Sequence, residues 1–299
     1  MKRTLMIIGG SGCVGEETAK ALLRDEDVKV ISVARGKSPV NAIDGVIYEQ
    51  GDILDSESIL KLLEKYSVSH VLHTAALRTS QCKDQPRQAV EININGTTNV
   101  LEAVREYGKV EHFVFISTAA VYKVPEDDSF PDENSPSEAL NLYTATKLAG
   151  EVLVESYAHS YGIKATVLRP QIIYGPTRGS EGSTAGLSTA LKEAGAGHSF
   201  CIPFSGTYAF TYSGDVGKFC KVVLLEPSDK FEIYNVPGES LSIKDVVQEI
   251  NSLCGQDLIS FKQEDYPFAK GVSSSKFFKD FPQSQVSPMS EILHDHLLS

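Results

Sequence analysis

The chain has 299 residues, of which 41% are hydrophobic, and this length and composition predict a globular protein with a sizeable core. The formal net charge of −11 argues against a nucleic-acid partner. The five cysteines are scattered and form no C-x-x-C pair, which argues against a disulfide framework or a metal site. No apolar run is long enough to cross a bilayer. We therefore expect a cytoplasmic protein with no membrane partner.

Apolar, β-branched runs alternate with helix-like stretches through residue 170, and the first run begins at residue 4 with no signal peptide before it. In chain order we predict a strand over 4–9, a helix over 16–25, strands over 28–34 and 46–52, a helix over 56–66, a strand over 70–76, a long helix over 88–108 that ends at Gly108, a strand over 111–118, a helix over 141–162 and a strand over 163–170. This alternation predicts an α/β fold with a doubly wound parallel sheet of the Rossmann type.

The alternation of strand-like and helix-like segments ends after Pro170, where the chain becomes rich in Gly, Ser and Thr. Later elements are a helix-like segment over 186–197, a strand over 232–238 and an amphipathic helix over 242–255. We therefore predict a Rossmann domain over 1–170, to which the chain returns around 208–236, and a smaller C-terminal substrate lobe over 171–207 and 237–299. The acidic stretch 125–138 is interpreted as a solvated surface loop, with a lid over a cleft as the alternative.

Glycines at Gly9, Gly12 and Gly15 follow the first strand and open the first helix. A glycine at the first position allows the turn, at the second lets a pyrophosphate approach the backbone, and at the third allows close packing of helix on sheet. A helix N-terminus also attracts phosphate through its N–H groups and its dipole. A tight structural turn is the alternative, but the order strand, glycines, helix, strand favours a dinucleotide.

Residues after the second and third strands bear on which dinucleotide binds. An acid at the end of the second strand would bind both ribose hydroxyls of NAD, but Ala34 and Arg35 stand there, so NADP is favoured over NAD. The alternative for Arg35 is a solvated loop residue that stacks on the adenine edge. Asp52 can accept a hydrogen bond from the adenine amino group; the alternative role, a helix N-cap, fits Asp55 better.

Tyr143 and Lys147 are four residues apart on a predicted helix, so both lie on one face. A lysine ammonium beside a phenol lowers the tyrosine pKa, as proton exchange near neutral pH requires. A surface pair is the alternative, but Ser117 and Thr118 end a neighbouring strand, where open α/β sheets place their ligands. A hydroxyl at that position can hydrogen-bond the reacting oxygen.

These motifs, in this order, resemble the extended short-chain dehydrogenase/reductases of the NAD-dependent epimerase/dehydratase group over nearly the whole chain. The matching segments are GGSGCVG, GDILD, HTAA, NINGTTNVLEA, STAAVY, the Tyr143–Lys147 pair, LRPQIIYGP, YSGDVGKF and EIYNVPG. The resemblance implies hydride transfer by a nicotinamide cofactor on a small-molecule substrate. Tyr143 would exchange the substrate proton, Lys147 would lower its pKa and hold ribose, and Thr118 would steady the oxygen.

The resemblance also implies further contacts and a homodimer. Besides the glycines, Arg35, Asp52, Tyr143 and Lys147, the predicted cofactor contacts are Cys13 (through its backbone), Val14, Ile53, Thr74, Ala75, Ala76, Asn95, Ser117, Pro170 and Ile173. Asn95 takes the place of the family's structural asparagine. The predicted substrate contacts are Arg78, Ala119, Gln171 and Arg178. His73, in a buried strand, is interpreted as a hydrogen-bonded core residue.

Three departures from the family pattern narrow the expected reaction. Ala119 and Ala120 stand where dehydratases carry an Asp-Glu pair, so we do not expect dehydration. Ile172 replaces an asparagine of nucleotide-sugar enzymes, and the segment GTYAFTYSGD lacks their arginine, which favours a substrate without a UDP group. Arg78 and Arg178 could anchor a substrate carboxylate, or they could be surface or phosphate-contacting residues.

Three functions therefore remain. The first is an NAD(P)-dependent oxidoreductase acting on a secondary alcohol or ketone of a sugar-like or sugar-acid substrate. The second is a nucleotide-sugar epimerase that retains NAD through its cycle. The third, a non-enzymatic dinucleotide sensor, is disfavoured because Tyr143 and Lys147 are both present.

Overall fold

The computed structural model describes residues 3–25, 27–36, 42–127 and 129–298. The chain divides into two compact units. The first comprises Met1–Val121, Ala139–Arg169 and Gly217–Tyr234, and the second comprises Tyr122–Glu138, Pro170–Val216 and Asn235–Ser299. Each unit has its own cluster of buried hydrophobic side chains. No helix within the described ranges is long and apolar enough to span a bilayer.

Regular elements occupy most of the described residues. The strands are β1 (Arg3–Ile8), β2 (Val28–Ala34), β3 (Val46–Gln50), β4 (His70–His73), β5 (His112–Ile116), β6 (Ala165–Arg169), β7 (Ile172–Tyr174), β8 (Phe200–Ile202), β9 (Thr207–Tyr212), β10 (Glu232–Asn235), β11 (Glu239–Ser242) and β12 (Ile259–Phe261). The α-helices are α1 (Cys13–Leu22), α2 (Ser56–Tyr66), α3 (Thr79–Asp84), α4 (Pro86–Val90), α5 (Gly96–Tyr107), α6 (Leu142–Tyr161), α7 (Gly186–Gly195), α8 (Ser213–Leu225), α9 (Ile243–Cys254), α10 (Ser275–Asp280) and α11 (Met289–Leu298).

The first unit is built on a sheet whose order, across the described residues, is β10-β6-β5-β4-β1-β2-β3. The neighbouring pairs from β6 to β3 are all parallel. The strand order reverses between β1 and β4, which is the point where doubly wound sheets bind ligands. The central strands are buried along their length, as a sheet covered by helices on both faces requires. The predicted α/β, doubly wound fold is confirmed.

Local capping explains where the helices begin and end. Asp55 accepts a hydrogen bond from the backbone N–H of Ser58 at 3.0 Å and so caps α2, as predicted. Asn141 caps α6 in the same way through the N–H of Thr144 at 3.0 Å. Gly108 ends α5 in the left-handed region, with φ of 65°, which confirms the predicted stop.

The long helix predicted over 88–108 is continuous, but one of its turns is not α-helical. The chain forms α4, then a π-helical turn over Glu91–Asn95, then α5. A π turn holds one residue more than an α turn, so it changes which side chains face the core. As a result Asn93 and Thr97 are buried, whereas Asn95 is exposed.

The second unit contains a three-stranded sheet, order β11-β9-β7, and the pair β12-β8. Strand β9 runs antiparallel to β11 and parallel to β7. Side chains of α7, α9 and α11 form the core with these strands. Helices α7 and α9 were predicted to within two residues at each end, but the strands of this unit were not, because they are three to six residues long.

The acidic stretch is a fixed part of the second unit. Asn235, which is fully buried, accepts a hydrogen bond from Tyr122 Oη at 2.7 Å and donates through its side-chain amide to the carbonyl of Pro131 at 3.3 Å. Its backbone N–H donates to Glu133 Oε1 at 2.8 Å. Position 128, within this stretch, lies outside the described residues. Most described residues of the stretch are exposed, so it is a surface loop, as predicted, and these contacts anchor it.

Candidate active site

The turn between β1 and α1 brings backbone segments so close together that side chains are excluded. A Cβ atom on Gly9, whose φ is 90°, would lie 2.6 Å from the Ala75 nitrogen, and one on Gly15 would lie 2.6 Å from the Gly10 Cα. Gly12 differs, because it is exposed and a Cβ atom there would meet only the Gly9 oxygen, at 3.3 Å. The protein's own packing therefore requires Gly9 and Gly15, while Gly12 leaves the start of α1 open.

The start of α1 fits the phosphates of a dinucleotide. Gly12 is its N-cap and supplies no side-chain hydrogen bond to the helix. The N–H groups of a first helical turn have no partner within the helix and carry partial positive charge. Cys13, Val14 and Gly15 form this first turn. The arrangement therefore offers an anion both backbone donors and an unobstructed approach.

The segment after β4 lies against the same turn. The N–H groups of Thr74 and Ala75 both donate to the carbonyl of Ile8, at 2.9 and 3.0 Å. These bonds tie the end of β4 to the end of β1. Thr74, Ala75 and Ala76 are half-buried, with small side chains. They form a second wall beside the glycine turn.

Arg35 and Asp52 follow the neighbouring strands β2 and β3. Arg35 is exposed, and its carbonyl accepts a hydrogen bond from Gln50 Nε2 at 3.0 Å. Asp52 is half-buried, and its Oδ1 accepts the N–H of Leu54 at 3.0 Å, which fixes the turn. Ile53 is buried and packs closely on Gly96. Both polar residues thus stand at the carboxyl ends of adjacent parallel strands, where the sequence places the adenosine half of the cofactor.

Lys147 is a buried cation one helical turn after Tyr143. Its side chain lies with Nζ 4.4 Å from the centre of the Phe115 ring, and no described residue accepts a hydrogen bond from that nitrogen. Burial lowers the pKa of Lys147 from 10.5 to about 8, while Glu151 and Cys82 act in the opposite direction. At neutral pH the ammonium is charged, and its N–H groups can donate hydrogen bonds to a ribose hydroxyl.

The two hydroxyls that follow β5 have different surroundings. Ser117 is buried and its Oγ donates to the carboxylate of Glu151. Thr118 is half-buried, and its Oγ1 accepts the N–H of Ala120 at 3.2 Å, which leaves its O–H able to donate. The Ser117 side chain is therefore engaged in the core, so a side-chain contact from it to a cofactor does not fit this geometry. Thr118 fits the predicted role beside the reacting oxygen.

Asn93, rather than Asn95, is the buried asparagine of the central helix. Its amide oxygen accepts the N–H of Leu77 at 2.7 Å, and its amide nitrogen donates to the Leu77 carbonyl at 3.1 Å and to Thr146 Oγ1 at 3.0 Å. Asn93 thereby ties the loop after β4 to α6. The assignment of the structural role to exposed Asn95 is wrong, because the π turn rotates it away from the core.

Replacing Asn93 with alanine is expected to lower the free energy of unfolding by about 2–4 kcal/mol, since it leaves the buried N–H of Leu77 without a partner and leaves the Leu77 carbonyl only the weak thiol donor of Cys82. Urea unfolding of the purified variant measures this change. Asn95→Ala is the matched control, two residues away and exposed, and should change stability by less than about 0.5 kcal/mol. Equal effects of the two substitutions would show that the buried network does not stabilise the fold.

His73 is a core residue, as predicted. It is fully buried, its Nε2 is hydrogen-bonded to Thr97 Oγ1 at 3.1 Å, and its ring contacts those of Phe113 and Phe115. Burial, with a smaller contribution from the charge on Lys147, lowers its pKa to about 3. A neutral ring at every physiological pH does not serve as a proton carrier.

The remaining predicted residues are distributed over both units. In the first unit, Arg78 is half-buried at the start of α3, and Ala119 begins a 3₁₀ turn. In the second unit, the amide of Gln171 donates to the carbonyl of Val236 at 3.1 Å, while Arg178 donates to the carbonyls of residues 179 and 181 in its own loop. Pro170 is buried and Ile173 is half-buried in β7. The contacts of Arg178 agree with the surface alternative.

The geometry can be compared with known proteins. The model of the NAD dependent epimerase/dehydratase family matches residues 5–237. The chain belongs to this family. The match covers the glycine turn, the Tyr143–Lys147 pair and the strand β10.

Similar members of the epimerase/dehydratase family include proteins of several activities. The chain is 29% identical over 234 residues to UDP-glucuronate 4-epimerase 4 of Arabidopsis thaliana, an alignment that covers 74% of this chain and 54% of that protein. The chain thus spans about half the length of this plant relative. It is similar to the crystal structure of the Bacillus cereus UDP-glucuronic acid 4-epimerase in complex with UDP-glucuronic acid and NAD, with a TM-score of 0.83, 25% identity and 99% of each chain covered.

A dehydrogenase of the same fold is equally similar in structure. The L-threonine dehydrogenase of Clostridium difficile superimposes with a TM-score of 0.87 at 20% identity, over 99% of this chain and 98% of that chain. At this identity the likeness concerns the fold alone. The epimerase/dehydratase fold therefore does not by itself fix the reaction.

Sequence reasoning missed a buried pair near the predicted catalytic residues. Glu151 and Arg169 are each 4% exposed and form a salt bridge with a distance of 2.5 Å between Arg169 Nη2 and Glu151 Oε2. Two signals were available in the sequence. Glu151 follows Lys147 by four residues on one helical face, and Arg169 is a charged residue at the end of an otherwise apolar strand.

Proposed function

We propose that this family member is an NAD(P)-dependent oxidoreductase that transfers a hydride at a secondary alcohol or ketone of a sugar-like or sugar-acid substrate. The observation that carries the proposal is Lys147, a buried cation without a hydrogen-bond acceptor, one turn after Tyr143. Thr118 and the open glycine turn stand on the same unit. A lysine that only supported the fold would be expected to have an acceptor within the fold.

Each side chain has a distinct proposed role. The bound dinucleotide supplies the carbon that accepts or donates the hydride. Lys147 stabilises the phenolate of Tyr143 through its positive charge, and its spare donors bind the ribose. Tyr143 exchanges the proton of the substrate oxygen. Thr118 donates a hydrogen bond to that oxygen as its charge changes.

NADP is the proposed cofactor, with NAD as the alternative. Exposed Arg35 supports NADP, since its guanidinium can pair with a 2′-phosphate. The neighbour from Bacillus cereus was crystallised with NAD, which supports the alternative. The proposed cofactor contacts in the second unit, Pro170 and Ile173, and the proposed substrate contacts Arg78, Ala119 and Gln171 rest on the family resemblance.

Replacing Arg35 with alanine is expected to raise the Kd of NADP by about 10- to 100-fold and to change that of NAD by less than about threefold, because only NADP carries the phosphate that pairs with the guanidinium. Fluorescence titration with each reduced cofactor measures both constants. Arg87→Ala, which removes another exposed arginine, is the control and should alter neither. Equal losses of affinity for NADP and NAD would show that Arg35 does not bind the 2′-phosphate.

A nucleotide-sugar 4-epimerase is the second candidate function. It is favoured by the plant and bacterial relatives, which are UDP-glucuronate 4-epimerases. Against it stand Ile172, which is apolar and buried in β7, and the absence of arginine from residues 206–215. Dehydration is disfavoured because Ala119 and Ala120 provide no acid or base.

One experiment separates these functions. Purified protein is denatured, the released supernatant is assayed for nicotinamide cofactor, and native protein is then given sugar acids, secondary alcohols and UDP-glucuronic acid with each cofactor. Net change in nicotinamide absorbance with a free sugar acid or alcohol supports the oxidoreductase. Retained cofactor and conversion of UDP-glucuronic acid without absorbance change would establish the epimerase instead. Cofactor binding without any turnover would favour a sensor.

We also propose a cytoplasmic homodimer. Two apolar or aromatic side chains of α6 are strongly exposed, Val152 at 64% and Tyr161 at 56%. The family resemblance implies dimerisation through the helix of the central asparagine and through α6, which carries the Tyr143–Lys147 pair. The five cysteines are all free, which agrees with a reducing compartment. Light scattering of the purified chain measures the mass of the assembly, and a monomeric mass would contradict the dimer.

A further inference from the structure

A buried polar network joins three elements beside the proposed catalytic residues. Glu151 Oε1 accepts hydrogen bonds from Ser117 Oγ and from Arg169 Nε, the latter at 3.0 Å, and Oε2 accepts from Arg169 Nη2 at 2.5 Å. Each of the three residues is no more than 4% exposed. Ser117 follows β5, Glu151 belongs to α6 and Arg169 ends β6.

Stability alone is a weak reason for this arrangement. Removing two charges from water costs about as much free energy as their attraction returns, and apolar replacements of buried pairs are often equally stable. What the network does provide is a fixed geometry, since a carboxylate and a guanidinium meet in one bidentate orientation. That geometry ties α6 to the end of β6 and orients the carboxylate that accepts the hydrogen bond of Ser117, at the end of β5.

The network is adjacent in sequence to each proposed catalytic group. Ser117 directly precedes Thr118. Glu151 follows Lys147 by one helical turn and Tyr143 by two. The bond between Ser117 and Glu151 therefore links the residue before Thr118 to the helix that carries the tyrosine–lysine pair.

We propose that Glu151 is the positioning residue of this active site: it holds the end of β5, with Thr118, against the helix that carries Tyr143 and Lys147, and it places a carboxylate one helical turn from Lys147. The proposal rests on the hydride-transfer function proposed above. Glu151 itself acts through its neighbours.

The electrostatic surroundings of Lys147 support this role. The titratable groups around its charge include Tyr143, the proposed proton carrier, and Glu151 on the same helix, Cys82 on α3 and His73 on β4. Burial raises the pKa of the Cys82 thiol and lowers that of His73 to about 3, so both are neutral at pH 7. Arg169 balances Glu151 from β6. Removing the carboxylate would lower the pKa of Lys147 below its value of about 8.

The main test is Glu151→Gln, which keeps the shape of the side chain and removes its charge. We expect the alkaline limb of the kcat–pH profile to move down by about one pH unit, and kcat at pH 8 to fall about fivefold with KM changed less than about threefold. Glu155→Gln is the matched control, because Glu155 is one turn further along α6 and exposed. It should leave the profile unchanged.

A second readout does not require the substrate. In protein labelled with ¹³C at lysine Cε, the signal that disappears in Lys147→Met belongs to Lys147, and its titration gives the pKa directly. Glu151→Gln should lower this pKa by about one unit, and Glu155→Gln should not. An unchanged Lys147 titration in folded Glu151→Gln would overturn the electrostatic half of the proposal. Absence of turnover in the wild type would instead count against the proposed function.

Ser117→Ala tests the geometric half and also serves if Glu151→Gln does not fold. This variant keeps the pair between Glu151 and Arg169 but releases the end of β5. We expect kcat to fall about tenfold, as for a displaced catalytic group, while the pKa of Lys147 and the affinity for the dinucleotide stay the same. Unchanged kcat in this variant would show that the network does not position Thr118.

Discussion

Replacing Tyr143 with phenylalanine is expected to lower kcat by about 1,000-fold while leaving the Kd of the dinucleotide within about threefold. The substitution removes the one hydroxyl that we propose exchanges a proton with the substrate, and it keeps the aromatic ring. Steady-state kinetics give kcat, with the substrate found among the sugar acids, secondary alcohols and UDP-glucuronic acid assayed above. Titration with the cofactor gives its Kd separately.

Tyr157→Phe is the control for this result. Tyr157 lies on the same helix, is half-buried, and donates its hydroxyl to Glu102 Oε1 at 2.5 Å. Its loss should change stability slightly and leave kcat unaltered. If Tyr143→Phe retained more than about a tenth of wild-type kcat, proton exchange would have to be assigned to another group.

Lys147→Met is expected to abolish turnover and, at the same time, to stabilise the fold at pH 7. The folded-state pKa of Lys147, about 8, lies below its ordinary value of 10.5. The folded protein therefore holds this proton less tightly than the unfolded chain, and below pH 8 the buried charge costs about 3 kcal/mol of stability. That cost falls as the pH rises from 8 to 10.5. The contact with the Phe115 ring offsets part of it.

Urea unfolding of the wild type and of Lys147→Met at several pH values tests this expectation. The variant should be more stable by about 1–3 kcal/mol at pH 7, and the difference should shrink toward pH 10. A protein that keeps a costly buried cation does so for function rather than for stability. A variant that is less stable than wild type at pH 7 would mean that Lys147 supports the fold, and the case for its proposed role would weaken.

The fold of the first unit was readable from the sequence because its strands are buried on both faces. Strand β2 was predicted with its observed bounds, Val28–Ala34, since a continuous β-branched run has few alternatives. The turn at Gly9, Gly12 and Gly15 was readable for a different reason. Backbone conformation at Gly9 and close approach at Gly9 and Gly15 restrict these two positions to glycine, so the residue type reports the geometry there.

Other features could not be read from local patterns. The π turn that places Asn93 inside and Asn95 outside depends on one extra residue in a helix, which hydrophobic periodicity does not detect. The engagement of Ser117 with Glu151 depends on a partner 34 residues away. Strands as short as β8 and β12 are too short to show hydrophobic periodicity, and their pairing depends on the tertiary fold.

Direct measurement of dinucleotide binding is the most decisive test of this account. Purified protein is unfolded to release and identify any bound cofactor, and cofactor-free protein is titrated by calorimetry with oxidised and reduced NAD and NADP. The account predicts that at least one of these four molecules is either released from the protein or bound by it, with one site per chain. No released cofactor, and no heat of binding with any of the four at millimolar concentration, would contradict it.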